Sequence, residues 1–383
     1  MRAARTIEPS GRPDSDGERA TVAAMRIPLK RPQPDFDEFV RVIKGEKPPA
    51  KVHLAELALD QEIIQAIVED LFGEQWVPSS DATREPNVCQ RVGFFHRLGY
   101  DSFPTGPEFR NMPKFKERLA ADTAGTSRVT RSWVDERGGI IKNWADFERI
   151  NWEAITPDLR TIELAAKHLP DGMKMAVCTC LFETLLERFF GYEDLFILSV
   201  EDPELVAKAF DTWGRIVYDA YAACVECPQV GAIFHADDLG YRTATMLSPD
   251  FLRKNVFPWF ARYAALAHAR GLTFWLHSCG NPIEIMDDLI DGVRIDAFHS
   301  FQDAIMPVGD FLARYGDRIA ALGGIDMDNL ARMSEPELRA YVRRTIEACM
   351  PGRFAIGAGN SVANYVPVRN YLAMLDEAAK YRA

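Results

Sequence analysis

The chain has 383 residues, of which 47% are hydrophobic and 26% are charged, as in ordinary globular proteins. This composition excludes a disordered or fibrous protein. Acidic residues outnumber basic ones, 56 to 45, giving a net charge of -11 without a stripe of Lys and Arg, so the chain lacks the electrostatic footprint of a nucleic-acid-binding protein.

The beginning of the chain predicts a flexible N-terminal extension over residues 1–35, followed by one domain over residues 36–383. Arg, Pro, Gly, Ser and Asp dominate the extension, which has few large apolar side chains. Residues 1–24 lack the apolar core of a secretory signal, and no apolar run reaches the roughly 18 residues of a membrane span. Seven loosely spaced cysteines in so long a chain indicate a reducing compartment. We therefore expect a cytoplasmic protein without a membrane partner.

From Val52 onward, short apolar runs alternate with stretches of helical periodicity. Helix starts carry clear signals, namely Asp202-Pro203, Ser248-Pro249 and a Ser334-x-x-Glu337 capping box. The apolar runs predict eight strands, at residues 52–57, 100–103, 174–178, 231–235, 273–277, 294–298, 319–323 and 354–357.

This alternation predicts an α/β fold with parallel strands joined by right-handed crossovers. An open dinucleotide-binding sheet would carry a Gly-x-Gly-x-x-Gly turn, but the nearest match, Gly357-Ala358-Gly359, lacks the third glycine. We therefore favour a (β/α)8 TIM barrel.

A segment near residues 104–152 interrupts the alternation. Residues 128–134 and 138–142 are typical of a hairpin around a glycine-containing turn. We expect an inserted hairpin over one end of the barrel.

Polar residues collect where the predicted strands end, which is where barrel enzymes carry their chemistry. His53 lies near a strand start and is expected to face away from that end. The strand-end residues are Glu56 and Asp60; Cys178, Thr179 and Cys180; His235, Asp237 and Asp238; His277, Ser278 and Cys279; His299 and Gln302; Gly323, Gly324 and Asp326; and Gly359 and Asn360.

The sharpest of these patterns is His277-x-Cys279. Side chains two apart on a strand point to the same side, so an imidazole and a thiolate can converge on one cation. Zinc accepts both ligands, but a catalytic zinc normally takes three from the protein. The alternative is a hydrogen-bonded histidine beside a small buried thiol.

His235-Ala-Asp237-Asp238 is a second candidate, in which the acids act as general acid or base, position a substrate, or orient a metal-bound histidine. Equally, one acid caps the following turn. Cys224-x-x-Cys227 is read as structural, since no second pair lies within range.

Four motifs follow one another along the chain, namely Asp237-Asp238-Leu239-Gly240, Leu276-His277-Ser278-Cys279-Gly280-Asn281, Gly323-Gly324-Ile325-Asp326 and Gly357-Ala358-Gly359-Asn360. Together they resemble the uroporphyrinogen decarboxylase superfamily over residues 45–380. The resemblance implies a (β/α)8 barrel that either decarboxylates porphyrinogens or, with zinc, moves methyl groups between corrinoid proteins and thiols.

The two branches differ in residues that this chain can be checked for. Decarboxylases of the superfamily carry an arginine-rich N-terminal motif, where this chain has residues 52–60 with Glu56 and Asp60, an acidic stretch poorly suited to a substrate with many carboxylates. The methyltransferase branch adds a distant cysteine to the His-x-Cys pair, and Asn360 stands at that position. Either Glu56, Asp237 or His235 completes a zinc site, or no metal is bound.

The leading hypothesis is therefore a methyltransferase that moves a methyl group between a small methoxylated or methylated substrate and a corrinoid protein or thiol, as an O-demethylase component. His277 and Cys279 would bind zinc; His235, Asp237, Asp238 and Asn360 would act in catalysis; and Glu56, His299, Gln302 and Asp326 would contact substrate. The alternatives are a porphyrinogen decarboxylase and a non-catalytic tetrapyrrole- or corrinoid-binding module. A homodimer is compatible with the resemblance.

Overall fold

Eight parallel strands form one curled sheet that is surrounded by helices, which confirms the (β/α)8 barrel. The computed structural model describes residues 25–115, 117–121, 130–134 and 138–381. From the second strand to the eighth, each strand pairs with the next in chain order, and the first pairs with the last. The strands are β1 (His53–Leu54), β2 (Ser102–Thr105), β3 (Lys174–Val177), β4 (Val230–Ala236), β5 (Thr273–His277), β6 (Ala297–His299), β7 (Ala320–Ile325) and β8 (Phe354–Ala358).

Three of the helices that cover the sheet begin at the predicted caps, Asp202, Ser248 and Ser334. Asp202 accepts a hydrogen bond from the Leu205 N–H (3.1 Å), and Ser248 accepts one from the Phe251 N–H (3.2 Å). The α-helices are α1 (Phe36–Ile43), α2 (Gln61–Ala66), α3 (Arg84–Leu98), α4 (Trp144–Arg149), α5 (Arg160–His168), α6 (Tyr192–Glu201), α7 (Pro203–Cys224), α8 (Pro249–Asn255), α9 (Phe257–Ala269), α10 (Val308–Tyr315), α11 (Met327–Arg332), α12 (Glu335–Cys349) and α13 (Val368–Ala378). Shorter helical turns span Ile67–Leu71, Trp152–Ala154, Thr184–Phe190, Ile283–Ile285 and Asp288–Val293.

The amino end of the barrel is closed by α1. Small side chains point inward from the strands, and the space they leave is filled by aromatic rings from α1 together with Trp275. Phe39 stacks on His53 (4.9 Å between ring centroids) and lies 5.5 Å from the Trp275 ring. The site must therefore lie at the opposite, carboxyl end of the strands.

Residues 25–35 pack against the barrel, although the whole of residues 1–35 was expected to be a flexible extension. Ile27 is buried in the main core, the Leu29 N–H donates to the Arg97 carbonyl (2.8 Å), and the Arg26 N–H donates to Asp376 Oδ1 (2.7 Å). The prediction rested on the average composition of residues 1–35, in which a few apolar residues such as Ile27 and Leu29 carry little weight. The rest of the predicted extension, residues 1–24, lies outside the described residues.

The insertion contains a hairpin, but its strands differ from the expected pair. Glu117–Ala121 pairs in antiparallel fashion with Thr130–Val134. The expected partner, 138–142, instead runs as an irregular segment whose Gly139 and Ile140 N–H groups donate to the carbonyls of Phe190 and Phe189. Part of the prediction, residues 128–129, lies outside the described residues. These hydrogen bonds to Phe189 and Phe190 thus satisfy backbone N–H groups of 138–142 that would otherwise pair with a neighbouring strand.

Among the helices that the structure describes, none has the length and apolarity needed to cross a membrane.

Candidate metal centre

The carboxyl ends of β4, β5 and β6 bring the central residues of the site together. In the sheet register His277 lies beside Ala236 on β4 and beside His299 on β6. Two residues beyond the paired Ala236 and His277 come Asp238 and Cys279. Because alternate residues point to the same side, these four polar residues share one corner of the barrel mouth.

Three of these side chains converge on one point. His277 Nε2 lies 3.4 Å from Cys279 Sγ and 3.3 Å from Asp238 Oδ1, and the three ligand atoms all lie within 4.8 Å of one another. An imidazole nitrogen, a sulfur and a carboxylate oxygen are the donors that zinc accepts, and three protein ligands leave a fourth position for substrate. The donor set therefore fits a catalytic metal, with Asp238 in the place of a third ligand.

The loops that carry Asp238 and Cys279 are locked to each other. The Cys279 N–H donates to Asp238 Oδ1 (2.8 Å), and the Leu239 N–H donates to Ser278 Oγ (3.0 Å). Gly280 has φ +82°, and a Cβ there would lie 2.2 Å from the Gly240 carbonyl carbon. A side chain at this position would separate the two loops, so the glycine preserves the distance between the ligands.

Asn360 contacts the sulfur. Its Nδ2 donates to Cys279 Sγ (2.9 Å), while its Oδ1 accepts from the Ser361 N–H (2.7 Å), which fixes the orientation of the amide. Where the resemblance places a third, cysteine ligand, this chain thus has a donor that stabilises negative charge on the sulfur of Cys279.

The charges at this point also suit a cation. Burial, together with the Asp238 carboxylate, raises the pKa of the Cys279 thiol, whereas His277 and the Cys279 N–H outweigh the effect of burial on Asp238 and hold its pKa below the usual value. A carboxylate therefore faces a neutral thiol and an imidazole. A divalent cation between them would balance the carboxylate and allow the thiol to ionise.

His299 lies behind His277, away from Cys279 and Asp238. Its Nδ1 is 2.6 Å from His277 Nδ1, and its Nε2 donates to the Ala358 carbonyl (3.0 Å). Burial, together with the neighbouring His277, lowers the pKa of His299 to about 3, so this ring is neutral at physiological pH. The structure places His299 in contact with the expected ligand rather than at an open surface.

His235 and Asp237 form a separate buried pair. Asp237 Oδ2 lies 2.7 Å from His235 Nε2 and accepts from the Leu181 N–H (3.0 Å), and Oδ1 accepts from the Glu183 N–H (2.9 Å). Tyr221 Oη lies 2.8 Å from the other ring nitrogen of His235. Both residues are thus occupied in holding the turn after β3, and neither joins the three converging side chains.

The other expected substrate contacts are dispersed. Glu56 is 4% exposed and accepts from the Ala358 N–H (3.1 Å) and the Tyr100 hydroxyl (3.4 Å). Asp326 caps α11 by accepting from the Asp328 and Asn329 N–H groups. Gln302 is exposed. None of the three lies within the cluster of His277, Cys279 and Asp238.

Sequence reasoning missed Glu183, which lies beside Cys180 and Asp237 in a second group of ligand-type atoms. Burial, reinforced by the carboxylates of Asp238 and Asp237, raises its pKa to about 9, so it keeps its proton at neutral pH. Because Glu183 keeps its proton, we read this second group as a proton donor rather than a metal site. The only sequence signal was an acid in the turn that follows Cys178-Thr179-Cys180.

The chain was then compared with known proteins. No model of a protein family and no curated protein matches the sequence. Among solved structures, a methyltransferase from Methanosarcina mazei superposes with a TM-score of 0.62 at 16% identity, over 90% of this chain and 97% of that one. The two proteins share one fold. This agrees with the barrel implied by the resemblance to the uroporphyrinogen decarboxylase superfamily.

A second structure is more distant. A B12-independent methionine synthase from Shewanella sp. W3-18-1 superposes with a TM-score of 0.49 at 8% identity, over 87% of this chain and 96% of that one.

Proposed function

We propose that the protein is a metal-dependent methyltransferase that moves a methyl group between a small methoxylated or methylated substrate and a corrinoid protein or thiol. The observation that carries this proposal is the convergence of His277, Cys279 and Asp238 within 4.8 Å at the barrel mouth. The fold shared with the Methanosarcina mazei methyltransferase supports it.

The protein's part is to hold the ligands and set their charge. His277, Cys279 and Asp238 would bind zinc, and the Asn360 amide would stabilise the sulfur as a thiolate. When bound, the cation would polarise the oxygen of a methyl ether or favour the thiolate form of an acceptor thiol. The locked loops after β4 and β5 keep the ligand atoms in place without reorganisation.

Methyl transfer from an ether needs a proton for the leaving oxygen. A corrinoid carried by a partner protein would supply cobalt(I) as the methyl acceptor; the C–O bond would then break with its electron pair on oxygen, and the protein would have to supply the proton that this oxygen takes up. Glu183, which retains a proton at neutral pH, is the candidate donor on the β3 side of the mouth.

The neighbouring carboxylates disfavour the decarboxylase alternative. Asp237 and Asp238 lie at the mouth, and their negative charge also helps Glu183 to keep its proton. A porphyrinogen carrying many carboxylates would meet like charge there, which costs several kcal/mol in a desolvated site.

Metal content and methyl transfer are measured together to test the proposal. We expect about one zinc per chain by elemental analysis and methyl transfer from a panel of methoxylated compounds to free cob(I)alamin, followed by absorbance. Cys279→Ala and Asp238→Asn should each lose metal and activity by at least about 10-fold, while Cys227→Ala, a half-buried cysteine remote from the ligands, should retain both.

Three results would contradict the proposal. Full activity of Cys279→Ala without bound metal would remove the metal centre. Formation of coproporphyrinogen from uroporphyrinogen would favour the decarboxylase. Tight corrinoid binding without turnover of any methyl donor would favour the non-catalytic binding module.

A further inference from the structure

The hydrogen bonds around His299 determine where its proton lies. Its Nε2 is 3.0 Å from the Ala358 carbonyl oxygen, which only accepts hydrogen bonds, so Nε2 must carry a hydrogen. Its Nδ1 is 2.6 Å from His277 Nδ1, and one of these two nitrogens must donate to the other.

The burial of His299 decides which nitrogen donates. The residue is fully buried, with the Phe234 ring packed edge-on at 5.7 Å. In the described part of the chain, none of its hydrogen bonds is to a carboxylate. A second proton would create a buried cation without a bonded counter-ion, which is costly. His299 is therefore neutral, its Nδ1 is the acceptor, and His277 Nδ1 is the donor.

This order places a hydrogen on His277 Nδ1. Its Nε2, which lies 3.4 Å from Cys279 Sγ and 3.3 Å from Asp238 Oδ1, is then the ring nitrogen that faces the other two ligand atoms and can bind a cation between them.

The strand next to His299 is shaped to permit these contacts. Gly323 on β7 has φ +94°, and a Cβ at this position would lie 2.8 Å from His299 Nε2 and 2.6 Å from the Ala358 carbonyl oxygen. Any side chain would push the ring away from its acceptor. The sequence Gly323-Gly324 thus provides room for the hydrogen bond that orients His299.

We propose that His299 is a positioning residue that fixes His277 in the Nδ1-protonated tautomer and so presents His277 Nε2 to a divalent cation. The proposal rests on the metal centre of the proposed function. It assigns to His299 no contact with substrate.

Two variants separate this role from simple packing. His299→Gln can accept from His277 with its Oε1 and donate to Ala358 with its amide, whereas His299→Leu fills the space but does neither. Cobalt(II), which reports its ligands through visible absorption, is the probe, and its affinity is measured by competition with a chelator. We expect His299→Leu to bind cobalt(II) about 10- to 100-fold more weakly, with an altered spectrum, and His299→Gln to stay close to wild type.

These measurements distinguish failure of the role of His299 from failure of the proposed function. Equal affinity and an identical cobalt(II) spectrum in His299→Leu would overturn the role of His299, as would a His299→Gln variant that is folded but binds as weakly as His299→Leu. A wild-type protein that binds no cobalt(II) would overturn the metal centre itself, and the role of His299 with it.

The tautomer is also measured without any metal. ¹⁵N spectra of metal-free protein labelled at its seven histidines should show His277 protonated at Nδ1 and His299 unprotonated at Nδ1. A His277 Nδ1 without a hydrogen would contradict the proposal even if the protein binds cobalt(II) and even if His299→Leu fails to fold.

Discussion

At the residue scale, buried groups hold protonation states that differ from those of the same groups in water. Glu56 is the clearest case outside the candidate metal centre. It is enclosed at the end of β1, and the hydrogen bonds from Ala358 N–H and Tyr100 do not offset its burial, which raises its pKa to about 8. The folded protein therefore binds a proton at Glu56 that the unfolded chain releases near pH 4.5.

This difference predicts a pH dependence of stability. Between pH 4.5 and about 8 the folded state binds more protons than the unfolded state, so the contribution of Glu56 is greatest at acid pH and is lost as pH rises toward 8. Glu56→Gln imitates the protonated acid, and we expect the free energy of unfolding, measured in urea, to fall less for this variant than for wild type over that range.

Glu284→Gln is the matched control, because Glu284 is exposed. It should follow the wild-type curve. A Glu56→Gln curve that runs parallel to wild type across this range would show that Glu56 ionises normally.

Residue types and spacing predicted that His277 and Cys279 can converge, and their ligand atoms lie 3.4 Å apart. The resemblance, not spacing, singled out Asn360, at the position of a distant cysteine ligand, and its amide contacts the sulfur of Cys279. The position of Asp238 was not predictable in this way, because it depends on the register of β4 against β5. The contact of His299 with His277 was not predictable either, since it depends on two rings turning toward each other across neighbouring strands.

At the element scale, the sequence predicted the strands better than the segments that close the barrel ends. Alternating apolar runs identified every barrel strand to within a few residues. The hairpin partner was wrong because short segments of similar composition compete for one pairing, and tertiary contacts with Phe189 and Phe190 decide between them.

The helix α1 illustrates how much one closing element contributes. Phe39 is fully buried between Phe36, His53 and Trp275 at the amino end of the barrel. We expect Phe39→Ala to lower the free energy of unfolding by about 3–5 kcal/mol, because the rigid barrel wall cannot collapse into the cavity. Urea denaturation measures this loss.

Arg41→Ala, an exposed change on the same helix, should stay within about 0.5 kcal/mol of wild type. If Phe39→Ala changes the free energy of unfolding as little as Arg41→Ala does, α1 does not stabilise the closed amino end of the barrel.

At the scale of the whole molecule, side chains join the first and second strands. The described residues of β1 and β2 share no ladder of backbone hydrogen bonds. Instead Asp101, just before β2, lies 2.7 Å from His53 Nδ1 and accepts from Lys51 Nζ at 2.7 Å, both at β1. It also accepts from the Asp35 N–H (2.7 Å), which ties down the start of α1.

We expect Asp101→Asn to destabilise the protein by about 1–3 kcal/mol at neutral pH, because it removes the charged acceptor shared by the half-buried Lys51 and the buried His53. Burial alone would raise the pKa of Asp101, but His53 and Lys51 outweigh it and hold the pKa below the usual value. The stability that Asp101 supplies is therefore present above pH 3.8 and is lost as pH falls through its lowered pKa.

The gap in unfolding free energy between wild type and Asp101→Asn should therefore narrow at strongly acid pH in urea titrations. A gap that is constant with pH would mean that the carboxylate charge is not what joins the two strands.

The junction between β1 and β2 also leaves the barrel wall open, because no backbone ladder joins the described residues of these two strands. It lies across the barrel from β5, whose strand is hydrogen-bonded on both sides, to β4 and to β6. We expect local opening of the barrel to begin between β1 and β2, while the opposite strands, which carry His277 and Cys279, keep their positions. Amide hydrogens of β1 and β2 should then exchange with deuterium sooner than those of β4 and β5. The barrel can thus open locally on one side without moving the ligand atoms of the candidate metal centre.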